Sequence, residues 1–89
     1  MITTETIPTL NTMFRFQWEQ AQNSYVLLYP EGMIQLNGPA GEILSLVDGE
    51  RSVAVIVGEL EIRFPDAEGI GGDVMEFLLE AQKQRWIAE

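Results

Sequence analysis

The chain has 89 residues, no Cys and no His, and 14 acidic against 5 basic residues give it a formal net charge of -9. One domain of that length buries about 60 to 65% of the surface its unfolded chain exposes, which leaves little core for a deep catalytic cavity. Disulfide frameworks and thiolate metal sites are excluded outright. The cations Arg15, Arg51, Arg63, Lys83 and Arg85 are scattered, so the chain lacks the clustered charge that nucleic acid or an anionic membrane surface requires.

Residues 1–12 mix Thr with Pro8 and Asn11 and are expected to form a flexible arm ahead of a single domain over residues 13–89. The arm lacks the basic and apolar regions of a secretory signal. No run approaches the roughly 18 apolar residues of a membrane-spanning helix. The expected address is the cytoplasm, and no membrane partner is expected.

Three strand-like segments come first. Phe14, Phe16 and Trp18 alternate with Arg15, Gln17 and Glu19, the period of two that marks a strand with one buried face. Gln20 to Ser24 suits a hairpin loop. Tyr25 to Tyr29 is apolar throughout and rich in β formers, so it is expected at the centre of the sheet. Pro30-Glu31-Gly32 is a turn. Met33-Ile34-Gln35-Leu36 is short and suits an edge strand.

Three helix-like segments follow. Asn37-Gly38-Pro39 opens the first, whose apolar stripe is Ala40, Ile43, Leu44 and Val47. Ser52 is the expected N-cap of the second, with Val53, Ile56, Val57, Leu60 and Phe64 on one face and Pro65 blocking continuation. Gly69 to Gly72 reads as a loop, with Asp73 capping a third helix that runs to Trp86. On that helix Val74, Phe77, Leu78 and Ala81 form one stripe, while Met75, Leu79 and Trp86 form a neighbouring one. Together they span roughly 200°, about twice the apolar arc of an ordinary surface helix. The first stripe is expected in the core and the second in contact with a partner; Trp86 itself is open to either role. The predicted fold class is α+β, winged-helix-like, a three-stranded antiparallel sheet followed by a three-helix bundle.

No catalytic constellation emerges. Glu76 and Glu80 share a helix face, but without His or Cys nearby they read as a solvated surface. Asp66, Glu68 and Asp73 lack the ligand spacing of a calcium loop. Gly69-Ile70-Gly71-Gly72 lacks the spacing and the Lys of a phosphate-binding loop. Ser24, Ser45 and Ser52 have no base to activate them. The expectation is a binding module: no enzyme, no cofactor, no metal.

Several of these segments carry a resemblance. Leu27-Leu28-Tyr29-Pro30-Glu31-Gly32, Leu36-Asn37, Ala40, Ile43-Leu44, Asp48-Gly49, Ser52-Val53, Ile56, Leu60, Phe64, Asp73-Val74, Phe77-Leu78 and Trp86-Ile87 resemble the pyrroloquinoline quinone biosynthesis protein D family (PqqD). The resemblance runs from about Pro8 to the end of the chain and lies mostly in apolar spacing. It implies a small peptide chaperone with a winged-helix-like fold. Such a protein binds the ribosomally made precursor peptide of pyrroloquinoline quinone (PQQ). It presents that peptide to a radical S-adenosylmethionine (SAM) enzyme, which links a Glu to a Tyr side chain within it. The resemblance also implies a peptide groove between the third strand and the third helix. The first strand, Phe14-Arg15-Phe16-Gln17, carries fewer basic residues than that family leads one to expect.

The residues and the resemblance converge on one place. An edge strand offers unpaired backbone groups to which a peptide can add itself as a further strand. The expected peptide-binding residues are Met33, Ile34, Gln35 and Leu36 on that strand, with Met75, Leu78, Leu79, Gln82 and Trp86 on the helix. Two other classes stand beside this one. They are a general protein-interaction or dimerisation module, and an acidic winged-helix transcription regulator. A monomer and a homodimer are both open.

Overall fold

The computed structural model describes all 89 residues as β1 (Thr9–Leu10), β2 (Arg15–Glu19), β3 (Ser24–Tyr29), β4 (Gly32–Gln35), α1 (Gly38–Leu44), α2 (Val53–Arg63), α3 (Ile70–Lys83) and β5 (Ile87–Ala88). The expected sheet forms in the order β2-β3-β4, antiparallel throughout, with Phe16 opposite Leu27 and Leu27 opposite Ile34. The expected order, strands and then helices, is broken only by β5 after the last helix, and a short strand not expected, β1, precedes the sheet. β1 and β5, the first and last elements, pair as a second, two-stranded sheet, Thr9 with Ala88 and Leu10 with Ile87.

Alternation explains which face of the main sheet is covered. Phe16, Tyr25, Leu27 and Ile34 point to the helices, and Leu27 is fully buried in a core shared with Ile56, Val74 and Leu78. Tyr25 stacks on Phe16 at 4.7 Å between ring centroids and meets Trp18 edge-on at 5.1 Å. Helix α1 lies directly on this ring. A Cβ built on Gly41 would stand 2.7 Å from Tyr25 Cδ2 and 3.2 Å from Tyr25 Cβ, closer than carbon atoms tolerate. Gly41 thus sets how near α1 comes to β3.

Each helix start has a local cause. Asn37 caps α1, its Oδ1 accepting from Ala40 N at 2.8 Å, with Pro39 in the first turn. Ser52 caps α2, its hydroxyl accepting from Val55 N at 3.2 Å. Helix α3 begins three residues before the expected Asp73 cap. Gly69 makes the turn at φ 72, and Gly71 and Gly72 lie inside the first turn of the helix. Ile70 packs against the core there, and Asp73 joins the first turn instead of capping it.

Residues 1–12 are not a loose arm. Ile2 is only 6% exposed and belongs to the core, and Pro8 is buried. The carbonyls of Thr6 and Thr4 accept from Val53 N at 2.8 Å and Ala54 N at 2.9 Å. These are the first N–H groups of α2, which have no partner within a helix. A segment that looks disordered by composition is fixed by its own backbone acceptors.

The α1–α2 loop is held by Asp48. Its Oδ1 accepts from Glu50 N and Arg51 N, both at 2.9 Å, and its Oδ2 from Arg51 Nη1 at 2.7 Å. Arg51 continues to Glu59 at 3.1 Å. The Arg51 backbone bond, then that of Glu50, holds the Asp48 carboxyl below its ordinary value of 3.8. A lowered carboxyl value stabilises the fold above the unfolded value, and that contribution is lost as pH falls through the folded one. The stability difference between wild type and Asp48→Ala should therefore be full at neutral pH and shrink on acidification below the aspartate range, as read from urea midpoints. Gly41→Ala should destabilise at every pH. Overpacking against Tyr25 costs about 1–3 kcal/mol, and the helix preference of Ala over Gly returns about 1 kcal/mol at most.

Candidate functional site

Strand β4 has one neighbour, β3, so its other edge is open. Leu36 N donates to Tyr25 O at 3.0 Å. In an antiparallel ladder bonded and non-bonded pairs alternate. Ile34 and Leu36 therefore spend their backbone groups on β3, and those of Met33 and Gln35 face the open edge. The side chains do the reverse: Ile34 faces inward with Leu27, and Met33 lies on the far face beside Leu28.

Beside the open edge lies a groove of about 350 Å3 lined by Ile34, Gln35, Leu36 and Asn37, by Pro39, Ala40 and Ile43 of α1, and by Asp73, Phe77 and Trp86. Its far wall depends on how α3 ends. Gln84 is the C-cap, and Arg85 adopts the left-handed conformation at φ 67. Arg85 N then donates to Gln82 O at 3.0 Å and Trp86 N to Ala81 O at 2.9 Å, the paired bonds of a Schellman turn. The turn sends the chain back along the helix and sets the Trp86 ring 6.3 Å from that of Phe77. Asn11 fastens this exit. Its backbone N–H donates to Trp86 O at 2.8 Å, its Nδ2 donates to Arg85 O at 2.8 Å, and its Oδ1 accepts from Met13 N at 3.0 Å.

Of the residues expected from sequence, Ile34, Gln35, Leu36 and Trp86 meet in the groove. Leu78 does not: it is 0% exposed, at the centre of the core. Met75 packs at the core margin, and Gln82 donates to Glu89 at 2.7 Å. Leu79 is 46% exposed and lines neither groove nor core. Relative to Leu78, Phe77 lies about 100° to one side of α3 and Leu79 about 100° to the other. The groove is on the Phe77 side: Phe77 packs against the core as expected and also lines the groove, while Leu79 stands exposed outside it. Asn37, Pro39, Ala40, Ile43, Asp73 and Phe77 line the groove from outside the expected set, and no local signal marked them for it. Nowhere do three acidic side chains converge as a set of metal ligands, and no helix is long and apolar enough to cross a membrane.

Comparison with known proteins bears on this geometry. Residues 24–87 match the family model described as coenzyme PQQ synthesis protein D (PqqD). A protein of Azotobacter vinelandii named PqqA binding protein is 58% identical over 81 residues, 91% of this chain and 88% of that one. The solution NMR structure of the PqqD truncation of Methylobacterium extorquens PqqCD superposes with a TM-score of 0.81 at 26% identity, covering 100% of this chain and 96% of that one. It represents a functional, stand-alone recognition element for ribosomally synthesised and post-translationally modified peptides. The crystal structure of PqqD from Xanthomonas campestris gives a TM-score of 0.59 at 30% identity, with both chains fully covered.

Asn11→Ala should loosen Trp86. Removing the side chain deletes two hydrogen bonds, each worth about 0.5–1.5 kcal/mol. The expected outcome is a lower unfolding midpoint together with a shifted and broadened Trp86 indole resonance, while Trp18 stays unchanged.

Proposed function

The chain belongs to the coenzyme PQQ synthesis protein D (PqqD) family, and on that premise we propose that it is a peptide chaperone of PQQ biosynthesis. Its ligand is the precursor peptide PqqA after which its relatives are named. The peptide adds to the open edge of β4 as a further strand, bonded to the backbone groups of Met33 and Gln35. Its inward side chains enter the groove between Ile34, Leu36, Phe77 and Trp86. Backbone pairing supplies affinity that tolerates sequence change, and the groove supplies selection among side chains. The observation that carries this reading is the coincidence of an open strand edge with an apolar groove along its length.

The protein presents the bound peptide to a radical SAM enzyme, which performs the Glu-Tyr cross-linking, and does no chemistry of its own. A chain without Cys or His has neither thiolate nor imidazole with which to activate a nucleophile. The fold supports the part as a small winged-helix-like domain whose sheet edge is left for the ligand. It works in the cytoplasm, without nucleic acid and as a monomer or homodimer.

Titration of synthetic PqqA peptide into isotope-labelled protein should shift the backbone resonances of β4 and the Trp86 indole. Phe77→Ala should weaken the affinity by about five- to thirty-fold, the effect of one to two kcal/mol at a buried anchor. Leu79→Asp, on the opposite flank of α3, should alter neither binding nor melting temperature by more than a small margin. Weakened binding from Leu79→Asp with no effect of Phe77→Ala would place the peptide on the wrong side of the helix. Mass spectrometry of the peptide after incubation should show it unchanged.

A further inference from the structure

The larger cavity of this protein is not the one beside the open edge. A space of about 510 Å3 lies between α1, the end of α2 and the start of α3. Leu60 and Val74 form its floor, and Phe64, 44% exposed at the C-cap of α2, stands at its rim with Ile70. Its volume is within the range of sites that take compact apolar ligands. The two cavities share Pro39, Ile43 and Asp73 as walls. They adjoin along α3, with Trp86 beyond its last turn lining one and Ile70 in its first turn lining the other, and are termed the two halves of a trough.

Resting on the peptide reading above, we infer that the second cavity is a further subsite for the same peptide. It takes one large apolar side chain, and a Lys or Arg of the peptide meets Asp73 where the two halves join. The spacing follows from the helix. Ile70 and Phe77 are seven residues apart, about 10 Å along the axis at 1.5 Å per residue. An extended peptide covers that in about three residues at roughly 3.3 Å each. The apolar side chain therefore lies about three positions beyond the one over Phe77.

Charge identifies the occupant. Of the two carboxylates on the trough wall, Glu42 is paired with Arg63 at 2.8 Å, and Asp73 has no ion-pair partner. A second copy of this chain, also at -9, would meet that face with like charge, which opposes association. A peptide carrying a cation beside an apolar residue meets it with opposite charge.

The test compares Phe64→Ser with Phe77→Ala in titrations of synthetic PqqA peptide, with thermal melts on both variants. Phe64→Ser should keep its fold and lose about tenfold in affinity, and wild-type resonances of Phe64 and Ile70 should shift on peptide addition. Asp73→Asn should lose affinity most at low salt, where charge pairing is least screened. Should Phe64→Ser prove unstable, Ala67→Trp fills the cavity from the exposed loop and serves in its place. Full affinity in these variants, with Phe77→Ala still impaired, overturns the second subsite and leaves the groove reading standing. Loss of no affinity in any variant, Phe77→Ala included, removes both. Shifts at Phe64 and Ile70 that follow protein concentration without peptide assign the cavity to a second copy and overturn the proposal. So do shifts that require the radical SAM enzyme and not the peptide.

Discussion

Everything at the groove depends on where α3 stops. Had the helix run to Trp86, the indole would project on the Leu79 side, far from β4. The left-handed Arg85 breaks the helix and returns Trp86 over Phe77. That conformation costs a residue with a Cβ roughly 1–2 kcal/mol, and no Gly is present to relieve it. The Schellman bonds and the Asn11 clamp offset the cost. The order of residues 1–12 and the geometry of the groove are thus one problem: the segment that caps α2 and pairs with β5 also carries Asn11 to the turn that aims Trp86.

The opposite wall is set by a second close contact. Gly41 lets α1 settle on Tyr25, and Asn37 fixes the start of the same helix directly after β4. Pro39, Ala40 and Ile43 are thereby brought level with the end of the strand, where they continue the apolar surface begun by Ile34 and Leu36. Strand and helix differ in what they offer. At β4 the outward-facing assets are backbone groups, those of Met33 and Gln35; at α1 and α3 they are side chains.

The strands and the first two helices were legible because their signals are local. Alternation in Phe14 to Trp18, the apolar run Tyr25 to Tyr29, the Asn37-Gly38-Pro39 opening and the Ser52 cap each act within a few residues, and each element forms there, although α1 ends at Leu44, short of Val47 on its expected stripe. The end of α3 was not legible. Gln84 and Arg85 are good helix formers, and what stops the helix is a clamp from Asn11, 74 residues away. With the helix continued to Trp86, Trp86 and Leu79 share a stripe and Phe77 falls to the core. The break separates Trp86 from Leu79 and sets it beside Phe77 instead. Residues 1–12 were misread for a related reason. The groups that order them are the carbonyls of Thr4 and Thr6, and backbone acceptors leave no mark on composition.

A free strand edge beside an apolar groove is a hazard as well as a tool, since it can pair with any extended chain, including its own copies. Several features restrict it here. β4 has only four residues, and Pro30 and Glu31 in the turn before it interrupt pairing at one end. At the other end the chain passes directly into α1, so an added strand meets a helix instead of more edge. The net charge of -9 sets copies of the domain against one another. Strand length, the helix at its end and charge thus restrict what this edge can accept. A small domain can be selective on those terms, because length, spacing and charge are all tested by one edge and the trough beside it.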